Sequence, residues 1–256
     1  RWVDILLGRR TPPRRVEFAP DASLLLLGIW WNNRPVEEIA RLKRSHALQW
    51  FAMVHDLLPI RRPEFFTDDV GRRRFTHFID AMISTADAVF GTSRYVCQDV
   101  EAYARERGVA IRPVIRVPLC TDLERSVTPQ RTAALARHAL EPGRFVVYVS
   151  TINPRKNHLW AYRLWRRLVE ELGYAAPTLV FAGQRGWRYE ELFATMSADT
   201  QMWNRKLCVV DGPTDAEMAW LYANCTFTIF PSLYEGWGLP ILESLSFGKY
   251  CLAADN

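Results

Sequence analysis

Short apolar runs alternate with amphipathic segments along almost the whole chain. Runs such as SLLLLGIW, LQWFAMVHD and RFVVYVS have the length and the β-branched or aromatic content of buried strands. Between them, RPVEEIARLKRSH has a proline near its start, and NPRKNHLWAYRLWRRLVEELG closes on a glycine, as helices do. Because parallel strands need crossover connections, this alternation predicts parallel sheets covered by helices on both faces.

The alternation is interrupted once, near the middle of the chain. CTDLERSVTPQR loses its periodicity and contains Pro129, and a short helical segment, RTAALARHAL, follows it. We therefore predict an α/β protein of two Rossmann-like, doubly wound domains, at residues 1–125 and 144–256, with a linker region at 126–143. The opening RWVDILLGRR and the closing YCLAADN resemble interior segments, so we expect a piece of a longer chain with both domains incomplete.

The composition is that of an ordinary globular protein, with 49% hydrophobic and 24% charged residues among 256. No apolar run of the sequence reaches the roughly 20 residues that span a bilayer. The five cysteines show no C-x-x-C spacing, which disfavours a disulfide framework or a zinc site and indicates a reducing compartment. We expect a cytoplasmic protein.

The net charge of +5 is concentrated in RRTPPRR, PIRRPEFF and GRRRF. These clusters fit either a solvated surface or an electrostatic match to phosphate, in a small ligand or on a lipid surface. With Trp30, Trp31, Phe65 and Phe66 nearby in sequence, they fit peripheral contact with an anionic membrane, or a solvated basic face beside core aromatics. Nucleic acid is disfavoured, because the sequence has no recognition-helix, RNP or finger signature.

The stretch PSLYEGWGLPILES follows an apolar run that has the character of a buried strand. In open α/β sheets, ligands bind beyond the carboxyl ends of the strands. Gly236 and Gly238 let the backbone approach a ligand. Pro240 suits the first turn of a helix. The free N–H groups of such a helix terminus favour hydroxyl-rich or anionic ligands. Glu235 before this helix and Glu243 within it can bracket one ligand, for example by accepting hydrogen bonds from a sugar diol. The alternative is a capping glutamate and a solvated one.

Two further stretches also leave predicted strands. In STINPRKNHLW, Arg155 and Lys156 lie where a helix begins, and together they suit a diphosphate. The alternative is an ordinary basic first turn, although positive charge there opposes the helix dipole. In FAMVHDLLP, His55 and Asp56 end a strand; a lone histidine is more often structural, but this position favours a role in a site.

Taken together, these stretches resemble glycosyltransferase family 4, which comprises retaining, nucleotide-sugar-dependent enzymes of the GT-B fold. EGWGLPILES is similar to the E-x7-E signature of that family, with Glu235 and Glu243 as its two glutamates. STINPRKN is similar to the G-T-x-x-P-R-K-N form of bacterial polysaccharide mannosyl- and rhamnosyltransferases. VHDLLPIRRPEFF, GTSRYVCQDV and VIRVPLCTD resemble further segments in the order of the family, so the resemblance covers nearly the whole chain.

The resemblance implies a role for each matching residue. Lys156 and Arg155 would face the leaving diphosphate, and Glu243 would accept hydrogen bonds from the ribose hydroxyls. Glu235 would hold the transferred sugar, and His55 would approach that sugar from the first domain. The remaining expected donor-binding residues share a position near these motifs; they are Thr151, Gly236, Trp237, Gly238 and Leu239.

The sequence departs from the family pattern at several points. Thr151 stands where many members have an arginine, so Arg155 is expected to substitute for it. Cys120 replaces the usual glycine of the segment before the linker. The first strand with its glycine-rich acceptor-side loop, and the last part of the second domain, have no counterpart in these 256 residues.

The resemblance therefore implies transfer, with retention, from a nucleotide-diphosphate sugar, GDP-mannose being favoured, to a glycan or lipid-linked glycan. The sequence has no D-x-D and no histidine pair at ligand spacing, so we expect no cofactor and a metal-independent route. A non-catalytic nucleotide-sugar or glycan-binding module remains the alternative. A dinucleotide oxidoreductase is disfavoured, because GWGLPI lacks the third glycine of G-x-G-x-x-G.

Overall fold

Two parallel sheets, one in each half of the chain, form the framework of the protein. The structure is a computed structural model that describes residues 18–19, 22–27, 36–66, 68–110 and 112–255. The first sheet has the strand order β1-β2-β3-β4, and the second has the order β7-β6-β5-β8-β9. The strands are β1 Ser23–Leu26, β2 Gln49–Val54, β3 Ala88–Gly91, β4 Val114–Arg116, β5 Phe145–Val149, β6 Thr178–Gly183, β7 Leu207–Asp211, β8 Thr228–Phe230 and β9 Cys251–Ala253.

Helices connect the successive strands, as parallel sheets require. The helices are α1 Val36–His46, α2 Leu58–Arg61, α3 Asp69–Thr85, α4 Arg94–Glu106, α5 Leu123–Ser126, α6 Ala133–Ala136, α7 His158–Leu172, α8 Glu190–Ala198, α9 Asp215–Asn224 and α10 Leu239–Ser246. Short 3₁₀ turns lie at Pro63–Phe65, Pro154–Lys156 and Gly173–Ala175. Within the described ranges, no helix is long and apolar enough to cross a membrane.

Each sheet packs its own hydrophobic core, and β5 shows how the second one is built. Tyr148 faces a cluster that contains Trp165, whereas Phe145 and Val147 face a second cluster on the opposite side of the sheet. Because both faces are covered, the strand is almost continuously apolar, which is typical of parallel sheets. The predicted α/β fold with parallel, helix-covered sheets is confirmed.

The order and type of the predicted elements agree with the structure in the described residues, but some boundaries differ. The predicted helix in RTAALARHAL is the single turn α6, since Ala139 has a φ of 50°. The long helix predicted from Asn153 begins only at His158, because Asn157 is left-handed with a φ of 59°. Thr214 and Glu217 form a capping box at the start of α9.

The two halves contact each other at the carboxyl ends of their strands. His55 follows β2, and the segment 231–238 follows β8 in the other sheet. Leu58, Phe65 and Tyr234 are buried together at this contact. The Trp187 indole N–H also donates a hydrogen bond of 2.7 Å to the Phe65 carbonyl. The strand ends that carry ligand sites in α/β folds therefore face one another.

Candidate functional site

A cavity of about 240 Å³ lies between the two halves, at the facing strand ends. Larger cavities of about 600 and 500 Å³ are lined only by residues of the second half and do not include Lys156. The residues that line the cavity between the halves are His55, Asp56, Thr92, Leu119, Lys156, Glu235, Gly236, Trp237, Gly238, Leu239 and Pro240. Most of the predicted site residues are thus brought together in one place.

Three charged side chains form the centre of this site. The Arg155 Nη1 lies 2.7 Å from the Glu235 Oε1, and the Lys156 Nζ contacts the same oxygen. The Ser232 hydroxyl donates a hydrogen bond of 2.5 Å to this oxygen. Lys156 is only 8% exposed. Burial of charges is costly unless they are paired, and this arrangement pairs them.

The sheet topology explains why residues 79 positions apart meet here. Lys156 lies in the loop after β5 and Glu235 in the loop after β8, and these two strands are neighbours. Parallel neighbours end at the same edge, so their following loops lie side by side. The predicted helix start at Arg155 and Lys156 is wrong, because both cations lie in a 3₁₀ turn that precedes α7.

This turn is held by contacts on both sides. The Asn153 side chain accepts a hydrogen bond of 3.3 Å from the Lys156 backbone N–H. Beneath it, the buried Tyr148 hydroxyl donates to the Lys156 carbonyl. The His158 ring stacks on Tyr148 with 4.6 Å between ring centroids. The cations therefore project from a rigid support rather than from a mobile loop.

Gly236 forms the closest backbone contact between the halves. A Cβ atom at this position would lie 2.0 Å from the His55 carbonyl oxygen, so no other residue fits without a shift. The Thr92 hydroxyl donates to the same carbonyl at 3.1 Å. Gly238 has a φ of 83° and precedes α10. The sequence predicted close approach of Gly236 to a ligand, whereas the contact that the structure shows is with the backbone of the opposite half.

Burial and neighbouring charges change the titration of the centre. Burial lowers the pKa of Lys156, although the charge of Glu235 opposes this shift. Burial alone would raise the pKa of Glu235, but the charges of Lys156 and Arg155 outweigh it and hold that pKa below its usual value. Burial raises the pKa of Asp56 in the same cavity. The charge of each of these two residues therefore favours the ionised form of the other.

Arg155, Thr151 and Glu243 are predicted residues outside the cavity lining, whereas His55 lies in the lining but is exposed to solvent. Glu243 lies on α10 outside the residues that line the cavity, and it accepts a hydrogen bond of 2.7 Å from the Tyr222 hydroxyl. Burial raises the pKa of Glu243. Thr151 is exposed and also lies outside the lining. His55 lines the cavity but is exposed, with its Nε2 3.0 Å from the Leu27 carbonyl.

Trp237 lines the cavity, and its indole nitrogen has no hydrogen-bond partner in the described residues. This N–H group is buried. Buried N–H groups are nearly always paired, so such a group in a cavity wall suits a ligand acceptor. This observation agrees with the predicted place of Trp237 beside a polar ligand.

Several residues that support the site were not predicted from the sequence. Ser232, Tyr222, Thr92 and Tyr234 contact predicted site residues, yet none was assigned a role, although all except Tyr222 lie within the stretches quoted above. Asp56 was noted only as the end of a strand, although it lines the cavity. Only Ser232 gave a signal, as a hydroxyl three residues before Glu235 at a strand exit.

Two of the four aromatic residues of the predicted membrane surface, Phe65 and Phe66, lie at the contact between the halves. Phe65 is 7% exposed and packs between the halves, and Phe66 stacks on Trp187 at 5.9 Å. The basic residues Arg73 and Arg74 are exposed on α3. The cluster RRTPPRR, with Trp30 and Trp31, lies outside the described residues.

A family comparison identifies the second half of the chain. Residues 131–256 match the family described as "Glycosyl transferases group 1". These residues belong to the group 1 glycosyl transferases. The predicted family resemblance is confirmed, and the matched segment contains the whole cationic centre and its glutamate.

Two bacterial mannosyltransferases are similar to this chain. The serotype-specific mannosyltransferase WbdA of Escherichia coli is 27% identical over 205 residues, which cover 78% of this chain and 24% of that protein. The O-antigen chain mannosyltransferase B of Escherichia coli is 34% identical over 115 residues, or 44% of this chain and 29% of that protein. The chain spans about a quarter of the length of these relatives.

Solved structures show the same fold at low sequence identity. HepE of Anabaena, solved in complex with UDP and glucose, has a TM-score of 0.66 and 16% identity, over 90% of this chain and 59% of that one. The sucrose-phosphate synthase of Thermosynechococcus elongatus has a TM-score of 0.63 and 19% identity, over 90% and 55% of the two chains. The chain therefore has the GT-B fold of these proteins.

Proposed function

We propose that the protein transfers a sugar from a nucleotide-diphosphate sugar to a glycan acceptor. The observation that carries this proposal is the convergence of Lys156 and Arg155 on Glu235 in the cavity between the halves. Two consecutive cations suit a diphosphate, and a cavity shared by two halves suits a reaction between two substrates. Membership of residues 131–256 in a glycosyl transferase family supports the same conclusion.

The cationic centre is arranged for the charge that develops as the glycosidic bond breaks. Negative charge builds on the leaving diphosphate. Lys156, which lines the cavity, and Arg155, which pairs with the cavity residue Glu235, are already held in place to stabilise that charge. Trp237 also lines the cavity, and its buried indole N–H has no hydrogen-bond partner within the described part of the chain. We assign Glu235 to the transferred sugar. Its carboxylate would accept hydrogen bonds from the hydroxyl groups of that sugar.

The acceptor side lies in the first half. His55 and Asp56 line the cavity opposite the cations and reach the same space. We propose attack by an acceptor hydroxyl on the face that the diphosphate leaves, which retains the anomeric configuration. The hydroxyl oxygen bonds to the anomeric carbon, the bond from that carbon to the phosphate oxygen breaks, and a phosphate oxygen takes the hydroxyl proton. The protein stabilises this charge flow without itself becoming covalently attached.

GDP-mannose is the donor that we propose first. The two relatives described above are named as mannosyltransferases, and one is named for the O-antigen chain. A bacterial polysaccharide, free or lipid-linked, is the corresponding acceptor class. Thermal-shift measurements on the full-length protein with GDP-mannose, GDP, UDP-glucose and UDP test this choice, because a ligand that binds the folded state raises the Tm. A shift with uridine nucleotides alone would reject GDP-mannose.

Glu243 gives a prediction about the nucleotide. If its carboxylate binds the ribose diol, Glu243→Gln weakens nucleoside diphosphate binding by about 1–3 kcal/mol, the scale of a lost charged hydrogen bond. Calorimetry with a 2′,3′-dideoxy nucleotide is the control, since that ligand should not distinguish the two proteins. Tyr222→Phe, which removes the hydroxyl that holds Glu243, should give a smaller loss. Equal losses for the normal and dideoxy nucleotides would contradict the role of Glu243.

Metal independence is a further prediction of this site. Lys156 and Arg155 supply the positive charge that a divalent cation supplies elsewhere. In the described part of the chain, no group of three or more His, Cys, Asp or Glu side chains is arranged to hold a metal ion. We expect turnover to be nearly unchanged in excess EDTA, measured as nucleoside diphosphate release. Complete loss that manganese or magnesium restores would contradict this prediction.

The alternative is a binding module that holds nucleotide sugars without making a product. Such a module would need the cations of the second half, but it would have no use for His55 and Asp56 in the same cavity. The two functions differ in one readout. Both bind nucleoside diphosphate, and only the enzyme releases it from a nucleotide sugar in proportion to added acceptor.

A further inference from the structure

One tyrosine of the second half is embedded in the first half. Tyr234 immediately precedes Glu235, yet its ring packs with Leu58 and Phe65 and is only 5% exposed. Its hydroxyl donates a hydrogen bond of 2.9 Å to the Asp99 carboxylate on α4. Burial, together with the charge of Asp99, raises the pKa of Tyr234, so the hydroxyl remains a protonated donor.

The acceptor of this hydrogen bond is itself fixed within the first half. The second oxygen of Asp99 accepts a hydrogen bond of 2.6 Å from the Arg61 Nε. The Arg61 guanidinium also pairs with Glu106 at 2.7 Å. Asp99 therefore cannot follow Tyr234 if the halves move apart, and the hydrogen bond exists only while they are in contact.

The backbone of the same tyrosine is part of the cationic centre. The Tyr234 carbonyl accepts a hydrogen bond of 2.7 Å from the Arg155 Nη1, the nitrogen that also contacts Glu235. Arg155 thus has two acceptors, the carboxylate of Glu235 and the backbone of Tyr234. One residue connects a fixed carboxylate of the first half with the side chains proposed to bind the diphosphate and the sugar.

We propose that Tyr234 is a positioning residue that couples contact between the halves to the placement of Arg155 and Glu235. The proposal rests on the proposed function and assigns to Tyr234 no contact with either substrate. When the halves meet, the Asp99 hydrogen bond fixes the tyrosine, and its carbonyl then holds Arg155 in line with Lys156 and Glu235. Since coupling between two sites is reciprocal, a diphosphate bound at Arg155 favours the closed arrangement of the halves.

The variant Tyr234→Phe isolates this coupling, because it keeps the packed ring and removes only the hydroxyl. We expect kcat to fall about tenfold, the scale of one lost charged hydrogen bond, while the KM for the donor changes little. Asp99→Asn should give a similar fall, because it replaces the charged acceptor with a neutral amide, and the double variant should be no worse than the poorer single variant, since both substitutions weaken the same hydrogen bond. Tyr95→Phe is the matched control, because Tyr95 is 46% exposed and only its ring contacts Tyr234, at 5.8 Å.

A measurement that needs no substrate separates this proposal from the proposed function. In the ligand-free protein, Tyr234→Phe should speed hydrogen–deuterium exchange both in α4 and in residues 154–157, which Tyr234 links, while Tyr95→Phe should not. Unchanged exchange at 154–157 would overturn the coupling. So would kinetic losses that add in the double variant, or a lowered Tm with unchanged kcat, which would indicate a purely structural tyrosine. A wild-type protein that transfers no sugar but shows the exchange pattern would overturn the proposed function and leave the coupling supported.

Discussion

Replacing Lys156 with alanine should reduce sugar transfer by about 100- to 1,000-fold, the range seen when one preorganised donor to a developing negative charge is removed. The reason lies in the position of the lysine, which is 8% exposed and held in the cavity by the turn at Pro154–Lys156. Water cannot readily replace its charge there. Initial rates of nucleoside diphosphate release, compared between variant and wild type, measure the loss.

Ligand binding gives this prediction its control. Lys156→Ala should weaken the binding of nucleoside diphosphate far more than that of the free nucleoside, because its proposed contact is the diphosphate. Lys249→Ala changes a lysine outside the cavity lining and should leave both affinities unchanged. Equal weakening of nucleoside and nucleoside diphosphate in calorimetry would show that Lys156 supports the fold of the site rather than binding phosphate.

Replacing Glu235 with glutamine should have effects of opposite sign on transfer and on binding. Transfer should fall by about 100-fold or more, because the carboxylate assigned to the transferred sugar is lost in a preorganised site. The affinity for nucleoside diphosphate should instead rise, by about tenfold. In the wild-type protein, Glu235 neutralises the two cations that the diphosphate needs. In the variant, Arg155 and Lys156 lack their carboxylate, and an anionic ligand would supply the missing charge.

Calorimetry and kinetics on the same preparations test this opposition. The Glu235→Gln substitution leaves buried positive charge unpaired, so the variant should have a lower Tm without ligand. Its Tm should also increase more than that of the wild type when nucleoside diphosphate is added. Glu191→Gln, at an exposed position of α8, is the matched control and should change neither transfer nor affinity. Nucleotide affinity that falls together with transfer would contradict the view that Glu235 competes with the diphosphate for the cations.

The sequence predicted the elements well because buried parallel strands carry an unmistakable pattern. β5 and β6 are apolar at nearly every position, and the helices between strands show regular apolar spacing. The start of α7 was not predictable in the same way. Its position depends on the left-handed Asn157, a backbone conformation that helical periodicity does not encode.

The sequence predicted which residues belong to the site, but not which of them contact each other. Lys156 and Glu235 stood out because each follows a strand and precedes a helix, where ligands bind in α/β folds. Their direct pairing depends on the adjacency of β5 and β8, which strand order in the sequence does not give. Tyr222 and Tyr234 contact the site through tertiary packing alone, so no local pattern marked them.

The most direct test of the account is the detection of a glycosylated product. The full-length protein would be incubated with GDP-mannose and a polysaccharide acceptor, and mass spectrometry would measure the mass of one added hexose. We predict product with the wild-type protein in the presence of EDTA, and almost none with Lys156→Ala or Glu235→Gln. Equal product from the wild type and both variants would contradict the assignment of the reaction to this cavity.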